Sequence, residues 1–502
     1  MNHLSKRTRD DQMVLSKFVP TCICVDAKAR SQVFNMAKHN SHFGCTYCTY
    51  FGVSVDTMRY PMHHADLPPY EDRSHRGMKA DMIEAQRRVN NNERNVSVRG
   101  HKGFTPLLKL KKFDLFKGNA FDDLHNTYEC ATQHHNEIII KEIPKIVVRM
   151  SGKMFLDTLD LRLKNIKTPS CITRKPGTCL MKNRSQMHGT EWRNWLLYYA
   201  PLCLHGLVAG RFIQTLECLS YGTYLLSQDI ISQDHVALAR DLITRYLEEY
   251  DEFGIEKSRL NIHALQHAHV SVRNWGPLWC YSTFNFESWN HRIMQTITSP
   301  KGALNQIVNR HLINFSVELA MNDQRISPEV KHMMKQILHK RRHSQALHVG
   351  DHSYFLGKSV MRAPTQEEQR VLQLEGYETV NLNVFQKMII RGVTFTTKSY
   401  VKEDSRSDDS SIFTFQNTVC TIQDIVSFTS QEDQNVHGLL VEEHEMVRRG
   451  TPLFPIAKQF CEVRAGGVLH FIKINEVRAP VVKAPLLGSI FFIPVTNLNE
   501  VD

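Results

Sequence analysis

Two cysteines separated by two residues give the strongest chemical signal in the sequence. Cys45 and Cys48 lie in HNSHFGCTYC, and His39 and His42 precede them. Thiolate sulfur and imidazole nitrogen are the ligands of closed, tetrahedral zinc sites, and C-x-x-C supplies half of such a site. We therefore expect a structural Zn²⁺ here, with a redox pair or two unligated thiols as the alternatives. The rest of the site stays open, because further histidines are available: His63, His64 and His75.

Two aspartates lie at positions from which they could contact a metal ion or a phosphate. Asp26 follows the apolar run of FVPTCICVDAKAR, which predicts a buried strand with the carboxylate at its end. The alternative is an N-cap for the helix that follows. Asp122 and His125, in FDDLHNTYE, are three residues apart and would share one helix face. They could hold a phosphate-bound metal or a water together, or simply bond to each other.

Glu287 lies among aromatic residues in FNFESWN. A carboxylate beside apolar rings is costly unless it is paired, exposed or bound to metal. Glu287 also opens a helical stretch, where the helix dipole favours an acid. Upstream, NIHALQHAHV places His263 and His267 on one helical face. Zinc binding is one interpretation of this pair, and a core or phosphate-contacting role is the more common one.

Two basic runs are candidates for contact with nucleic acid, with a solvated surface as the alternative. They are LLKLKKF, with Lys109, Lys111 and Lys112, and HKRRH, with Lys340, Arg341 and Arg342. The chain carries a formal net charge of +11 and a pI near 9.0, which is compatible with a DNA partner. The 26 histidines favour metal ligation somewhere in the chain without locating it.

The elements that must position these residues change in character along the chain. Residues 1–17 are polar and predicted to be loose, and residues 18–120 contain the Asp26 strand and helix followed by an irregular Cys- and His-rich stretch. Residues 121–345 have helical periodicity; Ser232 is predicted to cap a helix that stops at Gly254. Residues 346–502 alternate like half-buried strands and predict a separate, small β-rich domain.

Bulk properties limit the class of protein. A chain of 502 residues with 42% hydrophobic residues can bury a core and divide into two or three domains. The 12 cysteines are scattered, the first residues have no apolar signal core, and the most apolar stretch is short and broken. We expect thiols in a reducing compartment, a nuclear or cytoplasmic location, and no membrane span.

The order of these motifs resembles a known family. DAKAR, HFGCTYCTYFG, DDLH and NIHALQHAHVSVRNWGPLWCYSTFNFESWN follow one another over roughly residues 18–300. This order is similar to that in transposases of CACTA (En/Spm-type) DNA transposons. The resemblance implies an RNase H-like core in which three acids hold two Mg²⁺ ions for DNA strand cleavage and transfer. It matches Asp26 to the second acid, Asp122 and His125 to an aspartate–histidine motif, and Glu287 to the third acid.

The sequence also departs from the family pattern. Lys28 replaces the family's proline, and only 25 residues precede Asp26, which leaves no room for the strands that carry the first acid. Asp10 and Asp11 have no apolar strand around them. We therefore expect a partial RNase H-like core (α/β plus α), interrupted by a large, mainly helical insertion and followed by the β-rich domain.

The expected function is accordingly that of a transposon-derived, DNA-binding protein that lacks complete catalysis. Strand transfer would require the first acid to come from elsewhere. The alternative, from another class, is a non-catalytic, zinc-stabilised DNA- or protein-binding module. Self-association stays open, because no sequence pattern decides the oligomeric state.

Overall fold

The computed structural model describes residues 3–7, 13–17, 19–63, 69–146, 150–177, 180–338, 346–350, 352–449 and 453–496. The chain divides into two compact units. Unit 1 contains residues 1–163, 177–283 and 452–459. Unit 2 contains residues 164–176, 284–451 and 460–502. The predicted domain boundaries at 120/121 and 345/346 do not coincide with this division.

Unit 1 is mainly helical. Its α-helices are α1 (Ala27–Val33), α2 (His75–Asn90), α3 (Gln133–Ile146), α4 (Gly152–Asn165, whose last residues belong to unit 2), α5 (Gly189–Asn194), α6 (Ala200–Leu204), α7 (Gly210–Leu226), α8 (Gln233–Asp251), α9 (Leu260–His263) and α10 (Ala268–Trp275). π-Helical turns cover Leu124–Thr132 and Trp195–Tyr199, and 3₁₀ turns include Pro106–Lys109 and Ala264–His267. Its described strands form two antiparallel pairs: β1 (His3–Arg7) with β2 (Met13–Lys17), and β3 (Val53–Ser54) with β4 (Met58–Arg59).

The apolar sequence between residues 191 and 226 forms the buried helices that its composition predicts. Trp192 and Trp195 are at most 1% exposed. Helix α7 packs on α8 at Gly222, where an added Cβ would lie 3.0 Å from Ile243. Helix α8 begins after the N-cap Ser232, as predicted, and the chain turns at Gly254 with φ of +117°. The mainly helical character predicted for this part of the chain is confirmed for most of the described residues between 122 and 338.

Two predictions for unit 1 are wrong. The Cys- and His-rich stretch after α1, within residues 18–120, is not irregular throughout, because it contains the 16-residue helix α2, whose Met78, Met82 and Ala85 are buried at helical spacing. The high content of charged residues in α2 hid that spacing. The predicted loose segment 1–17 contains the hairpin β1–β2, while Asp10 and Asp11 lie outside the described residues.

The described residues of unit 2 form four α-helices and two sheets. The helices are α11 (Thr283–Gln295, whose first residue belongs to unit 1), α12 (Ala303–Asn322), α13 (Pro328–Leu338) and, within the β-rich region, the short α14 (Gln366–Leu374). The strands are β5 (Ala346–Gly350), β6 (Ser353–Leu356), β7 (Val360–Arg362), β8 (Leu382–Phe385), β9 (Lys387–Ile390), β10 (Val393–Thr396), β11 (Ser411–Thr414), β12 (Val419–Thr429), β13 (Asn435–Arg449), β14 (Cys461–Lys473), β15 (Val477–Leu486) and β16 (Ser489–Pro494).

The strands of unit 2 are antiparallel throughout. One sheet has the order β10-β9-β6-β5, and the other has the order β11-β15-β16-β14-β13-β12-β8-β7. Strand β11 also pairs with β12, so six strands of the larger sheet close on themselves. A shared core that includes Phe355, Met388, Ile425 and Leu439 joins the two sheets. The β-rich region that the alternating pattern predicted after residue 345 is therefore confirmed.

The mixed fold class is confirmed at the level of helix and sheet content, with 43% helix and 21% strand. No helix among the described residues has both the length and the apolar character needed to cross a bilayer.

Candidate metal centre and aspartate–histidine pair

Four buried side chains converge in unit 1 from two distant segments. They are Cys45, Cys48, His263 and His267, and their candidate ligand atoms all lie within 4.8 Å of one another. Cys45 Sγ is 3.8 Å from His267 Nε2, and Cys48 Sγ is 3.3 Å from His263 Nε2. Each sulfur therefore faces the Nε2 atom of a different imidazole.

Local structure explains how the two segments present these atoms. The cysteines lie on an irregular loop between α1 and β3, where Gly44 is needed because a Cβ there would lie 2.9 Å from the Lys38 carbonyl. His263 ends α9 and His267 ends the following 3₁₀ turn. The spacing of four residues places both rings on one side of this helical segment.

The donor set and its dimensions fit zinc. With Zn–S near 2.3 Å and Zn–N near 2.0 Å, the ligand atoms of a tetrahedral site lie about 3.3–3.8 Å apart. Both measured sulfur–nitrogen distances fall in that range. A bound cation would compensate for the burial of thiolate ligands, which is otherwise costly. The group can hold a metal ion such as zinc.

The surroundings of the four side chains orient them. Nδ1 of His267 lies 3.4 Å from Asp72, which is the arrangement by which a carboxylate fixes the tautomer of a metal-ligating histidine. The Tyr47 ring stacks on His267 with centroids 5.1 Å apart. Arg73 Nε donates to the Cys45 carbonyl at 3.2 Å and so fixes the cysteine loop.

The titration behaviour follows from burial and close contact. Burial disfavours the Cys45 thiolate, but hydrogen bonds from Cys48, His263 and His267 outweigh it, so the pKa of Cys45 is well below its ordinary value. Burial, followed by the neighbouring Cys45, raises the pKa of Cys48. Burial would lower the pKa of His267, but Asp72 and Cys45 raise it to about 9.

The two cysteines predicted as metal ligands lie in a group that could hold a metal ion, and the two histidines predicted beside them do not. Cys45 and Cys48 belong to the metal group, whereas His39 and His42 do not. Both of these histidines are exposed; His42 stacks on Phe51 and its Nδ1 lies 2.7 Å from the Gly52 carbonyl. His263 and His267, for which the sequence indicated zinc binding only as one interpretation, complete the group.

A second buried cluster surrounds Asp122. This side chain is fully buried, and its Oδ2 atom lies 2.8 Å from His125 Nδ1. Its Oδ1 atom accepts from Thr283 Oγ1 at 2.7 Å. Burial opposes ionisation, but His125, Arg30 and Thr283 lower the pKa of Asp122 below its ordinary value. The predicted helical pairing of Asp122 with His125 is present, although the turn that follows is a π-helix.

The Asp122–His125 pair leaves one imidazole nitrogen able to accept a proton or bind a ligand. Asp122 holds Nδ1 of His125, so a proton on Nδ1 leaves Nε2 as the site that can accept a proton or bind a ligand. The His125 side chain is 29% exposed, and its Nε2 atom lies 4.0 Å from a carboxylate oxygen of Glu129. The His125 side of the pair is therefore partly accessible to solvent, and the Asp122 side is fixed in the buried interior.

The metal group and the Asp122 cluster share a framework. Asn119 Nδ2 donates to Thr46 Oγ1 at 3.1 Å, and Tyr47 Oη donates to the Ala120 carbonyl at 3.2 Å. The Phe121 amide donates to Ser271 Oγ, on α10, at 2.9 Å. Residues 119–121, which precede Asp122, are therefore hydrogen-bonded to the cysteine loop and to helix α10.

Asp26 is the N-cap of α1. This is the alternative to a metal-binding role in the sequence-based prediction. Its Oδ1 atom accepts from the Ala29 amide at 2.6 Å. The expected strand before it is limited to a parallel bridge between Ile23 and Asn119. The Ala120 amide donates to the Ile23 carbonyl at 3.0 Å, so this segment runs beside the one that carries Asp122.

The other predicted site residues lie elsewhere. Glu287 is exposed on α11 and belongs to unit 2, whereas Asp26, Asp122 and His125 belong to unit 1. Lys109, Lys111 and Lys112 are exposed in unit 1. Lys340, Arg341 and Arg342 lie outside the described residues.

Comparison with known proteins adds no assignment. No family model matches the chain, and no curated protein matches it.

Proposed function

We propose that the chain is a transposase-derived, DNA-binding protein whose unit 1 is held together by a structural zinc ion. The observation that carries the proposal is the convergence of Cys45 and Cys48 with His263 and His267 into one buried group. These residues come from two of the motif segments on which the resemblance to CACTA transposases rests. A shared site gives both segments one physical reason to be present.

Four further contacts support the same ancestry. The DDLH segment supplies Asp122 and His125, which bond directly. The YSTFNFESW segment supplies Thr283, which donates to Asp122, and Ser282, which donates to Asp123 at 2.9 Å. The segment before Asp26 lies beside residues 118–120. Motifs that are far apart in the sequence are thus neighbours in unit 1.

In this proposal zinc has a structural role. A closed set of two thiolates and two imidazoles leaves no open position for water, which distinguishes structural from catalytic zinc. Bound zinc would contribute fixed geometry to the loop at Cys45 and, through Thr46 and Tyr47, to the segment that carries Asp122. The residues of this chain then present His125 at the surface.

Two-metal strand transfer is not the activity we propose for this chain. That chemistry needs carboxylates that converge on two divalent ions. One oxygen of Asp26 is taken by the Ala29 amide, and the carboxylate has the ordinary geometry of a helix cap. We propose that DNA binding persists without cleavage, through exposed lysines that include Lys109, Lys111 and Lys112.

DNA binding is tested by titrating the full chain with duplex DNA over a range of salt concentrations. Release of counterions makes the logarithm of the affinity fall linearly with the logarithm of the salt concentration, by about 0.9 for each phosphate contact. A response that is flat between low and physiological salt contradicts the proposal. Replacing Lys109, Lys111 and Lys112 by Ala should weaken binding and reduce the slope by up to about 3.

A matched control separates local contact from overall charge. Replacing the exposed residues Lys358, Lys402 and Lys458 by Ala removes the same charge. If both triple variants bind DNA equally well, the segment 109–112 is not the contact. Incubation of supercoiled DNA with Mg²⁺ or Mn²⁺ gives the complementary test: nicking that disappears in Glu287→Gln would establish an active transposase instead.

A further inference from the structure

One face of helix α12 exposes a continuous row of apolar side chains, which we call the α12 stripe. Its members are Leu304, Val308, Leu312, Phe315 and Leu319, with exposed fractions of 46–72%. At about 100° per residue, the five side chains lie within an arc of about 80°. Single exposed apolar residues are ordinary, but a contiguous row of them marks an interaction surface.

Helix α12 has little stability of its own. None of its 20 residues is buried. It contains four asparagines and several β-branched residues, which are weak helix formers. A helix of this length is marginal in water unless a face of it packs against something. The half-buried side chains Ile307, Val317 and Met321 lie outside the arc of the stripe, and Ile313 on the opposite side is 56% exposed, so the partial burial of α12 leaves the stripe uncovered.

The spacing within the stripe identifies the kind of partner. Val308, Leu312, Phe315 and Leu319 follow one another at intervals of four, three and four residues. These are the intervals of the d and a positions of a heptad, which belong to a seam between two helices. A short helical seam of this kind pairs with another helix of the same pattern.

The stripe is complementary to itself when two copies run antiparallel. A two-fold axis between positions 313 and 314 places Val308 opposite Leu319 of the second copy, and Leu312 opposite Phe315 of the second copy. Each of these four residues then meets an apolar residue. A two-fold pairing of this kind closes on itself and stops at a dimer.

The charged residues that flank the stripe select the antiparallel direction. In that arrangement His311, a hydrogen-bond donor at a g position, faces the Glu318 carboxylate at a g position of the second copy, and the axis repeats this contact. In a parallel pair His311 would instead face Ser316 of the second copy, and Glu318 would face a position beyond the end of α12, so this contact would be lost. Flanking charges of this kind set the orientation of helix pairs.

We propose that the α12 stripe binds the α12 stripe of a second copy of this chain, antiparallel, and so makes the protein a homodimer. The proposal is independent of zinc and of DNA binding, because the stripe lies in unit 2 and uses none of the residues invoked above. Either proposal can fail while the other holds.

Sedimentation of the full chain over a range of concentrations tests dimer formation. We expect a concentration-dependent dimer for the natural chain, a monomer for Leu312→Glu, and a dimer for Asn314→Glu. The control adds the same charge two residues away on a side of α12 that faces away from the stripe. A natural chain that is monomeric at every concentration overturns the proposal, and so does equal behaviour of the two variants.

Disulfide trapping tests the direction and does not depend on a destabilising variant. In a Cys280→Ser background, which removes an exposed thiol, differently tagged Val308→Cys and Leu319→Cys chains are mixed and oxidised. Antiparallel pairing predicts the mixed disulfide 308–319. Disulfides formed only between identical positions indicate a parallel pair, and the absence of any α12 disulfide places the dimer contact elsewhere; both results overturn the proposal.

Discussion

Nδ1 of His267 and a carboxylate oxygen of Asp72 lie 3.4 Å apart, on the side of the imidazole away from Cys45. A carboxylate in this position keeps the proton on Nδ1, so Nε2 is left as the ligand atom. Asp72 would therefore act on a bound metal through His267, without contributing a ligand atom to the group. The metal centre consequently includes one residue more than its four candidate ligands.

Replacing Asp72 by Asn should weaken zinc binding without abolishing it. Loss of a carboxylate partner of a ligating histidine typically lowers metal affinity 10- to 100-fold. Competition with a chromophoric chelator measures this change. The matched control is Glu71→Gln, which neutralises the neighbouring exposed acid. Equal zinc affinity in the two variants would remove Asp72 from the site.

Removing zinc should unfold unit 1. Structural zinc sites have apparent binding free energies of about 10–16 kcal/mol, which is comparable with the whole stability of a domain. A strong chelator should therefore shift tryptophan emission to the red, because Trp192 and Trp195 are buried in unit 1. Added Zn²⁺ should reverse the change.

Substitutions distinguish zinc binding at the candidate group from a general effect of the chelator. Purified chain should contain one Zn²⁺, which Cys48→Ser and His263→Asn should each lose. Cys280→Ser, which changes an exposed thiol outside the group, should retain the metal. Equal zinc content in Cys48→Ser and the natural chain would contradict the assignment.

The sequence predicted features that local patterns determine. Ser232 as a helix cap, the turn at Gly254 and the alternating strands after residue 345 are each encoded within a few neighbouring residues. The N-cap geometry of Asp26 was foreseen for the same reason. The contact between Cys48 and His263 joins positions 215 residues apart. No spacing rule links them, and the local pattern points instead to the nearby His39 and His42.

Glu217, on α7, should make the stability of unit 1 depend on pH. Its side chain is 1% exposed, and one oxygen accepts from the backbone amides of Ile456 and Ala457 at 3.1 Å. Burial raises the pKa of Glu217 to about 7. The unfolded chain ionises this group near pH 4.5, whereas the folded chain keeps it protonated until about pH 7. The contribution of Glu217 to the unfolding free energy of unit 1 is therefore fully present below pH 4.5 and is lost as the pH rises to 7.

The variant Glu217→Gln isolates this effect. An amide cannot ionise and still accepts hydrogen bonds from both backbone amides. Each pKa unit corresponds to about 1.4 kcal/mol, so Gln should stabilise unit 1 by up to about 3 kcal/mol at pH 8 and by little at pH 4.5. Urea unfolding at both pH values measures the difference. The exposed Glu252→Gln should have no such pH dependence, and a gain for Glu217→Gln that is equal at both pH values would exclude the titration of Glu217 as its cause.

Substitution in the Asp122 cluster should destabilise unit 1 more than substitution at most other positions. Replacing Asp122 by Ala leaves the buried Thr283 hydroxyl and His125 Nδ1 without their acceptor. The expected cost is about 3 kcal/mol, because removing one member of a buried charged network exposes its partners to the full penalty of desolvation. Asp241→Ala, at an exposed position on α8, should cost less than about 0.5 kcal/mol.

The pH dependence of the Asp122 variant separates a charge effect from lost packing. Since the pKa of Asp122 is below its ordinary value, the ionised form contributes stability above pH 3.8 that is lost as the pH falls through the folded pKa. The difference in unfolding free energy between the natural chain and Asp122→Ala should therefore shrink in acid. If the difference in unfolding free energy stays constant as the pH falls below 3.8, Asp122 stabilises unit 1 by filling space. The charge of Asp122 would then contribute nothing to the stability of its contact with His125.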